Sequence, residues 1–412
     1  MASYPQQKLM TDILNLTGFI VRDYRFISEV GIILSLENQQ PEVICPECGS
    51  LTNKVHQNHP STIRDISWGE QQVYLRINRR NMRCDCCGKK WREELSFVKK
   101  NRNHTKRFTQ QIVQEVIESD IKNVGQRHDV SQQEIETMLR DMGEELIERK
   151  PSKITRLGID EIAIIKGQGN YYVVLTDLER GIIVGLIENR TESTVTNYLQ
   201  SWGQEVLSQI KEVSIDLWKP YKKVAEKLMP QAIIVADRFH VMKQVNKELD
   251  DQRKNSRKEA KQLENKSEKE QTLAGLNKSK YALLKNEKDL TEKQKNKLEE
   301  VKKVDETLVI MHQFKEDFRD IFEQNNNWVD GLLSLADWLK DTHEHFPESS
   351  GTIRRWLGEI LAYFDNRTTQ GVVEGINNKL KLIKRRGYGF RNFDNFSLRC
   401  FLTWLVPIHF AS

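Results

Sequence analysis

A chain of 412 residues exceeds what one hydrophobic core usually organises, so two to four domains are expected. Its 38% hydrophobic content is enough for real cores, and 30% charged residues with only nine prolines favour charged helix over disorder. The net charge of +5 is small for the length, and with no apolar run near the ~18 residues of a membrane span and no basic-then-apolar leader, the chain reads as cytoplasmic with no membrane partner.

The N-terminal region, 1–97, holds two CxxC pairs, Cys45-Pro-Glu-Cys48-Gly and Cys84-Asp-Cys86-Cys87-Gly. In a reducing compartment such pairs are metal ligands rather than disulfides, and four thiolates satisfy one tetrahedral zinc. Cys45, Cys48, Cys84 and Cys87 are therefore expected to hold a structural zinc. Between the pairs Val73, Leu75 and Ile77 alternate with Tyr74, Arg76 and Asn78, which predicts a β-hairpin with a metal knuckle at each end. Cys86 is an adjacent competitor for the metal, and Cys400, in an apolar run, reads as core.

The charge is concentrated just beyond this point. Residues 76–107 hold twelve Lys and Arg against three acids, a local excess of nine, so the rest of the chain carries about four net negative charges and the positive field sits near the N-terminus. A polyanion is the expected partner. Arg79, Arg80, Lys99, Lys100, Arg102, Lys106 and Arg107 are the candidate phosphate contacts.

Within a DNA-binding segment at 98–150, residues 105–143 are helical by period. Phe108, Ile112 and Val116 form one stripe, and Ser131-Gln-Gln-Glu134 is a capping box opening a second helix with Ile135, Met138 and Leu139. Two helices across a turn suggest helix-turn-helix, with Gln132, Gln133, Thr137 and Arg140 offered to a major groove of double-stranded DNA.

From 151 to 240 the period changes. Three β-rich runs (157–165, 171–176, 181–187) precede a helix capped by Thr191, a short strand at 213–217, a helix at 220–228 and a buried strand at 232–236. That βββαβαβ order is the order of RNase H-like nucleotidyl-transfer domains. Asp160 then falls inside the first strand, Asp216 ends the fourth, and Glu374 lies on a later helix. A carboxylate inside a buried strand costs several kcal/mol unless it meets cations or donors. Two Mg²⁺ (or Mn²⁺) ions about 3.5–4 Å apart would need such shared carboxylates to activate a water or 3′-hydroxyl and stabilise the leaving oxygen at phosphorus. Asp237 and His240, in Asp237-Arg-Phe-His240 after the fifth strand, can reach the same face; Asp237 is the rival acid for the site, as ligand or as support, and His240 is a candidate support. Glu161 should face away from Asp160, and Asp177 falls in a turn.

Residues 241–350 are rich in Lys, Glu, Gln and Asn, with scattered Leu at helical spacing. They predict a helical insertion built as long helices with a narrow apolar seam, in an antiparallel hairpin. In the last segment, 351–412, a helix from about 368 to 386 places Lys381, Lys384 and Arg385 on a basic stripe headed by Glu374, beside an apolar stripe of Val373, Ile376, Leu380 and Ile383. The basic stripe is expected to hold the DNA backbone.

Gly158-Ile-Asp160-Glu161, Val213-Ser-Ile-Asp216-Leu-Trp-Lys-Pro-Tyr221, Asp237-Arg-Phe-His240 and Val373-Glu374-Gly-Ile-Asn-Asn-Lys379 with Arg386-Gly-Tyr-Gly-Phe390 resemble the signatures of DDE transposases of bacterial insertion sequences, in the ISL-three group. The resemblance spans nearly the whole chain. It implies an enzyme that binds the terminal inverted repeats of its own element, cuts the DNA ends and joins them to target DNA with Mg²⁺. It further implies a homo-oligomer on DNA associated with the bacterial nucleoid. The family's three acids map onto Asp160, Asp216 and Glu374. The expected fold is multidomain α+β: an N-terminal zinc knuckle or ribbon, a helix-turn-helix, and an RNase H-like α/β catalytic domain with a long helical insertion. A catalytically silent DNA-binding regulator on the same scaffold is the alternative, which loss of a carboxylate would favour; none is lost.

Overall fold

The computed structural model describes residues 4–147, 151–163, 171–367, 371–387 and 393–410, with backbone alone for 144–147, 366, 371, 372, 374 and 405–410. Two compact units divide the chain, one holding residues 1–147, 385–391 and 398–412, the other 148–384 and 392–397.

In the first unit, helix α1 (Tyr4–Leu14) precedes strands β1 (Phe19–Ile27), β2 (Gly31–Asn38), β3 (Val43–Ile44), β4 (Leu51–Thr52), β5 (Val55–Trp68), β6 (Gln71–Arg83) and β7 (Lys90–Arg92). The hairpin expected between the cysteine pairs is β5–β6, antiparallel from Val55↔Met82 to Trp68↔Gln71. It belongs to a larger sheet, β1-β2-β6-β5 with β7 against β6, whose first two strands the alternation analysis did not single out. The side chains of Val73, Leu75 and Ile77 close a core with Leu34, Ile63 and Phe19, so the hairpin is anchored by apolar burial at the end away from the cysteines.

Three helices follow: α2 (Lys106–Glu118), α3 (Ile121–His128) and α4 (Gln132–Ile147). The expected pair is α2 and α4; α3 is an additional short helix between them, capped by Asp120. Asp129 turns the chain in the left-handed region, φ 51°, a conformation that Asp tolerates better than most residues. Ser131 Oγ then accepts from Glu134 N at 3.2 Å to start α4, as the capping sequence predicts. Phe108, Ile112, Val116, Val124, Ile135 and Met138 form the core of this trio, joined by Leu398 and Leu402.

The second unit is built on a five-stranded sheet of β8 (Arg156–Ala163), β9 (Tyr171–Asp177), β10 (Ile182–Ile187), β11 (Glu212–Ile215) and β12 (Ile233–Ala236), with α5 (Glu192–Ser201), α6 (Gln204–Leu207) and α7 (Lys219–Leu228) between its later strands. The spatial order is β10-β9-β8-β11-β12. The first three strands are antiparallel, and β11 runs parallel to both β8 and β12. This is the 3-2-1-4-5 arrangement of an RNase H-like domain. Apolar residues on both faces of β8 and β11 reflect helices packed on either side.

The insertion differs from the expected antiparallel hairpin. Helix α8 (Arg238–Ala260) starts directly from β12, followed by α9 (Lys266–Leu276), α10 (Lys280–Leu284), α11 (Glu292–Lys302), α12 (Glu306–Gln324), α13 (Trp328–Thr342), α14 (Pro347–Arg355) and α15 (Leu357–Asn366). The cause is local. Asn265, Thr291, Asp305 and Asn327 each cap a new helix with a side-chain hydrogen bond, and Lys278 turns the chain at φ 55°, so the polar stretch is cut into short pieces. The scattered leucines Leu276, Leu283, Leu298 and Leu308 are fully buried in one core continuous with that of the sheet, not in a two-helix seam. The last helices are α16 (Gly371–Arg386) and α17 (Phe393–Phe410).

Candidate functional site

Sheet register assembles the carboxylates. Ile159 pairs with Ile215 in the parallel β8–β11 ladder, and Ile215 pairs with Ala236 in β11–β12. Each pair is followed directly by an acid, so Asp160, Asp216 and Asp237 lie in a row where three parallel strands present their C-terminal ends, the usual ligand side of such a sheet. One turn into α8, His240 closes the row. Its Nε2 stands 2.8 Å from Asp216 Oδ1, 3.7 Å from Asp160 Oδ1 and 3.6 Å from Asp237 Oδ2. From α16, Asn377 Nδ2 donates to Asp160 Oδ2, and Asp160 Oδ1 accepts from Glu161 N at 2.7 Å.

Asp160 and Asp237 are about 5% exposed or less. Burial pushes the Asp216 carboxyl up, with the Asp160 charge adding to it and His240 opposing. It also pushes Asp237 up, to about 6, against the relief from His240 and from the Phe239 N–H bond. Burial alone would lower His240, but the surrounding carboxylates of Asp216, Asp237 and Asp160 outweigh it and raise the imidazole. Even a protonated His240 leaves three acids against one cation in a site largely withdrawn from water, a charge imbalance that a bound cation would relieve.

Two orphaned acceptors point the same way. Asp216 Oδ1 and Asn377 Oδ1 are buried without a hydrogen bond. His240 Nε2 meets the first as a close ion-pair partner, at 2.8 Å. One ligand atom each from Asp160, Asp216 and His240 lies within 4.8 Å of the others. These residues fit a divalent cation, with oxygen donors suited to Mg²⁺ or Mn²⁺. Asp237 Oδ1 instead caps α8, accepting from Phe239 N at 3.1 Å. Glu374 is three residues before Asn377 on α16; its side chain lies outside the described residues.

The sequence did not disclose the bond from Asn377 to Asp160; its position one turn after Glu374 was the available signal. Glu161, expected to face away from Asp160, accepts from Tyr221 Oη at 2.8 Å and Arg190 Nη1 at 2.9 Å. Asp177 forms the turn after β9, accepting from Glu179 N and Arg180 N.

In the first unit the four expected zinc ligands converge. Cys45 Sγ lies 3.6 Å from Cys87 Sγ, Cys48 Sγ lies 3.5 Å from Cys84 Sγ, and all four sulfurs fall within 4.8 Å. Zn–S bonds of about 2.3 Å in a tetrahedron put sulfurs about 3.8 Å apart, so the cluster is near its metal-bound size. Gly49 and Gly88, at φ 73° and 72°, give both knuckles the left-handed turn that only glycine adopts without strain. Hydrogen bonds from the Ser50 side chain and backbone, and then Cys84, lower the Cys48 thiol to about 6, favouring the thiolate. Cys86 is exposed and is not in the cluster.

The basic run is less available than its count implies. Arg80 makes a two-point bond to Glu93. Arg102 does the same with Asp141, which Lys99 also approaches. Arg107 binds the fully buried Asp65, and Arg79 reaches the Arg102 carbonyl at 3.4 Å. These side chains tie the sheet to the helices. Lys100 and Lys106 are exposed. On α4, Gln132, Gln133 and Arg140 are exposed and Thr137 is partly so, its hydroxyl donating to Gln133 O. On α16, Lys381 and Arg385 are exposed and Lys384 is half-buried. Replacing Arg107 with Ala strands Asp65 in the core, and chemical denaturation should show a loss of about 3 kcal/mol or more; a loss under about 1 kcal/mol would show that the pair is dispensable.

Comparison with known proteins gives three family matches. A model described as "Transposase" covers residues 157–400, the zinc-finger of transposase IS204/IS1001/IS1096/IS1165 covers 41–87, and the helix-turn-helix domain of transposase family ISL3 covers 93–142. The transposase for insertion sequence element IS1001 of Bordetella parapertussis is 26% identical over 95% of this chain and 97% of its own length. The transposase for IS1557 of Mycobacterium tuberculosis is 28% identical over 58% of each chain. A chain of the Drosophila P element transposase strand transfer complex overlays 72% of this chain and 91% of its own at 11% identity, with a TM-score of 0.38, below what establishes a common fold.

Proposed function

Since this chain belongs to the ISL3 family of transposases, we propose that Asp160, Asp216 and Glu374 are the acids with which it cuts and rejoins DNA at the terminal inverted repeats of an insertion sequence. The observation that carries the reading is the group of Asp160, Asp216 and His240, whose ligand atoms lie within 4.8 Å of one another, with the buried Asn377 Oδ1 beside it making no hydrogen bond. Asp160 and Asp216 would hold Mg²⁺ or Mn²⁺, with Glu374 completing the set from α16. When bound, such ions lower the pKa of an attacking water or 3′-hydroxyl and offset charge on the leaving oxygen.

The chain's own groups set the geometry. Asn377 fixes the Asp160 carboxylate through Oδ2, and the Glu161 N–H fixes it through Oδ1. Asp237 holds the start of α8, and so positions His240 against Asp216. The carboxylates raise the His240 imidazole, and a proton held there offsets their mutual repulsion. We read Asp237 as a support rather than a ligand, because it caps α8 and stands outside the group of Asp160, Asp216 and His240 whose ligand atoms lie within 4.8 Å of one another. The Lys381, Lys384 and Arg385 stripe offers positive charge to the strand beyond Glu374.

DNA recognition falls to the helix-turn-helix. Gln132, Gln133, Thr137 and Arg140 on α4 are the base-edge candidates, with Lys100 and Lys106 on flanking phosphates. Neutralising Lys100 and Lys106 together should lower the slope of log K against log salt by roughly 0.9 for each phosphate that no longer meets a cation; an unchanged slope would place the DNA elsewhere. Arg80, Arg102 and Arg107 are excluded from that test because their loss would disturb the fold. An element has two ends to be joined, so the active form is a homo-oligomer on DNA. The direct test is purified protein with end-bearing duplex and Mg²⁺. Cleavage at the end of the repeat supports the proposal, and binding without cleavage in either Mg²⁺ or Mn²⁺ would support a silent regulator instead.

A further inference from the structure

Beside the carboxylates, one guanidinium meets two aromatic rings. The Arg190 guanidinium lies over the Tyr171 ring at 4.5 Å and over the Trp218 ring at 4.9 Å. Its Nη1 is bound to Glu161, whose other oxygen takes the Tyr221 hydroxyl. The guanidinium is thus neutralised and held in plane, and what it offers its neighbours is a stacking face rather than a free charge.

Of the two rings, Trp218 is the one open to solvent. It is 39% exposed and only two residues after Asp216, a reach of at most about 7 Å. It also occupies the N-cap of α7 and makes no capping bond there. Ser, Thr, Asp or Asn at an N-cap is worth about 1 kcal/mol, and exposing an indole to water is unfavourable. A Trp in that place forgoes one stabilisation and incurs a cost, and the fold gains no capping from it. Pro220 stiffens the turn that presents it. In the first turn of α8 Phe239, 57% exposed, gives a second aromatic beside His240.

We propose that the exposed part of the Trp218 ring receives one unpaired nucleobase of the bound DNA, within about two nucleotides of the phosphate that is cut. At a rise of about 3.4 Å per nucleotide, bases within two nucleotides of a phosphate at Asp216 fall inside the reach of a side chain two residues further along. Stacking on aromatic faces is tolerant of sequence, which suits a position whose base is drawn out of the helix to free the phosphate beside it. The inference rests on the transposase reading of the Asp160–Asp216 centre.

The test is cleavage of end DNA by wild type, Trp218→Ala and Trp218→Phe, on intact duplex and on duplexes carrying a single abasic site at each position flanking the cut. Base stacking of about 1–3 kcal/mol predicts a roughly 5- to 150-fold slower Trp218→Ala on intact duplex with Trp218→Phe near wild type. An abasic site at one flanking position should restore Trp218→Ala to within a few-fold of wild type, which a merely structural Trp would not allow. Wild-type rates for Trp218→Ala, or an equal defect on intact and abasic ends, would overturn the stacking site and leave the transposase reading standing. A wild-type protein that cleaves none of these ends would overturn both.

Discussion

Asp160→Asn and Asp216→Asn should each stop strand cleavage and joining in Mg²⁺ while leaving affinity for end DNA within a few-fold of wild type. Both carboxylates lie in the row set by the β8–β11 register, while the candidate base-reading residues lie on α4 in the other unit. Binding and chemistry are therefore separable. Loss of one ligand removes several kcal/mol of charge stabilisation, and at roughly 1.4 kcal/mol per decade the rate should fall on the order of 10³-fold or more. Glu374→Gln should match them if its side chain completes the set. Asp237→Asn should fall less, because its cap to Phe239 N uses an oxygen that Asn retains. Cleavage at the wild-type rate by any of the first three variants would remove that residue from the catalytic set, and an Asp237→Asn as inactive as Asp160→Asn would make it a ligand.

Removing zinc should release the knuckles without unfolding the whole region 41–97. Strands β3 and β4 are two residues each and bury little apolar surface, so metal–thiolate bonds supply most of their folding free energy. Residues 63 and 73–77 of the β5–β6 hairpin are fixed instead by the apolar core with β1 and β2. After chelation, or in Cys45→Ser, hydrogen exchange should rise steeply at 43–54 and 84–90 and stay slow at 63 and 73–77. Metal analysis of the native protein should give one zinc per chain. Its absence, or uniform loss of protection across the hairpin, would show that the division between metal-held and core-held parts is wrong.

Much of this was legible in the residues. Two CxxC-Gly pairs define a zinc knuckle because chemistry and turn geometry are both local: thiolates three apart, with a glycine for the left-handed turn. The Ser131–Glu134 cap and the strand order from 157 to 236 were equally plain, since capping and side-chain period are properties of a few consecutive residues. Local pattern misled in two places. The Lys/Glu-rich stretch read as a long hairpin, yet side-chain caps at Asn265, Thr291 and Asp305 break it into short helices. The basic run read as a field for phosphates, yet Asp65, Glu93 and Asp141, far from it or mixed within it, bind four of its cations.

By itself, then, the sequence determined the kinds of element, the metal-binding cysteines and the presence of acids at strand ends, because each depends on near neighbours in the chain. Tertiary structure alone decided which groups meet. The register of β8, β11 and β12 sets Asp160, Asp216 and Asp237 in a row, α16 brings Asn377 to Asp160 from 217 residues away, and α7 delivers Tyr221 to Glu161. It also decided which charges stay available to DNA and which are held inside the fold. Pairings of that kind depend on sheet register and helix packing, which are fixed by the whole buried core and not by any window of residues.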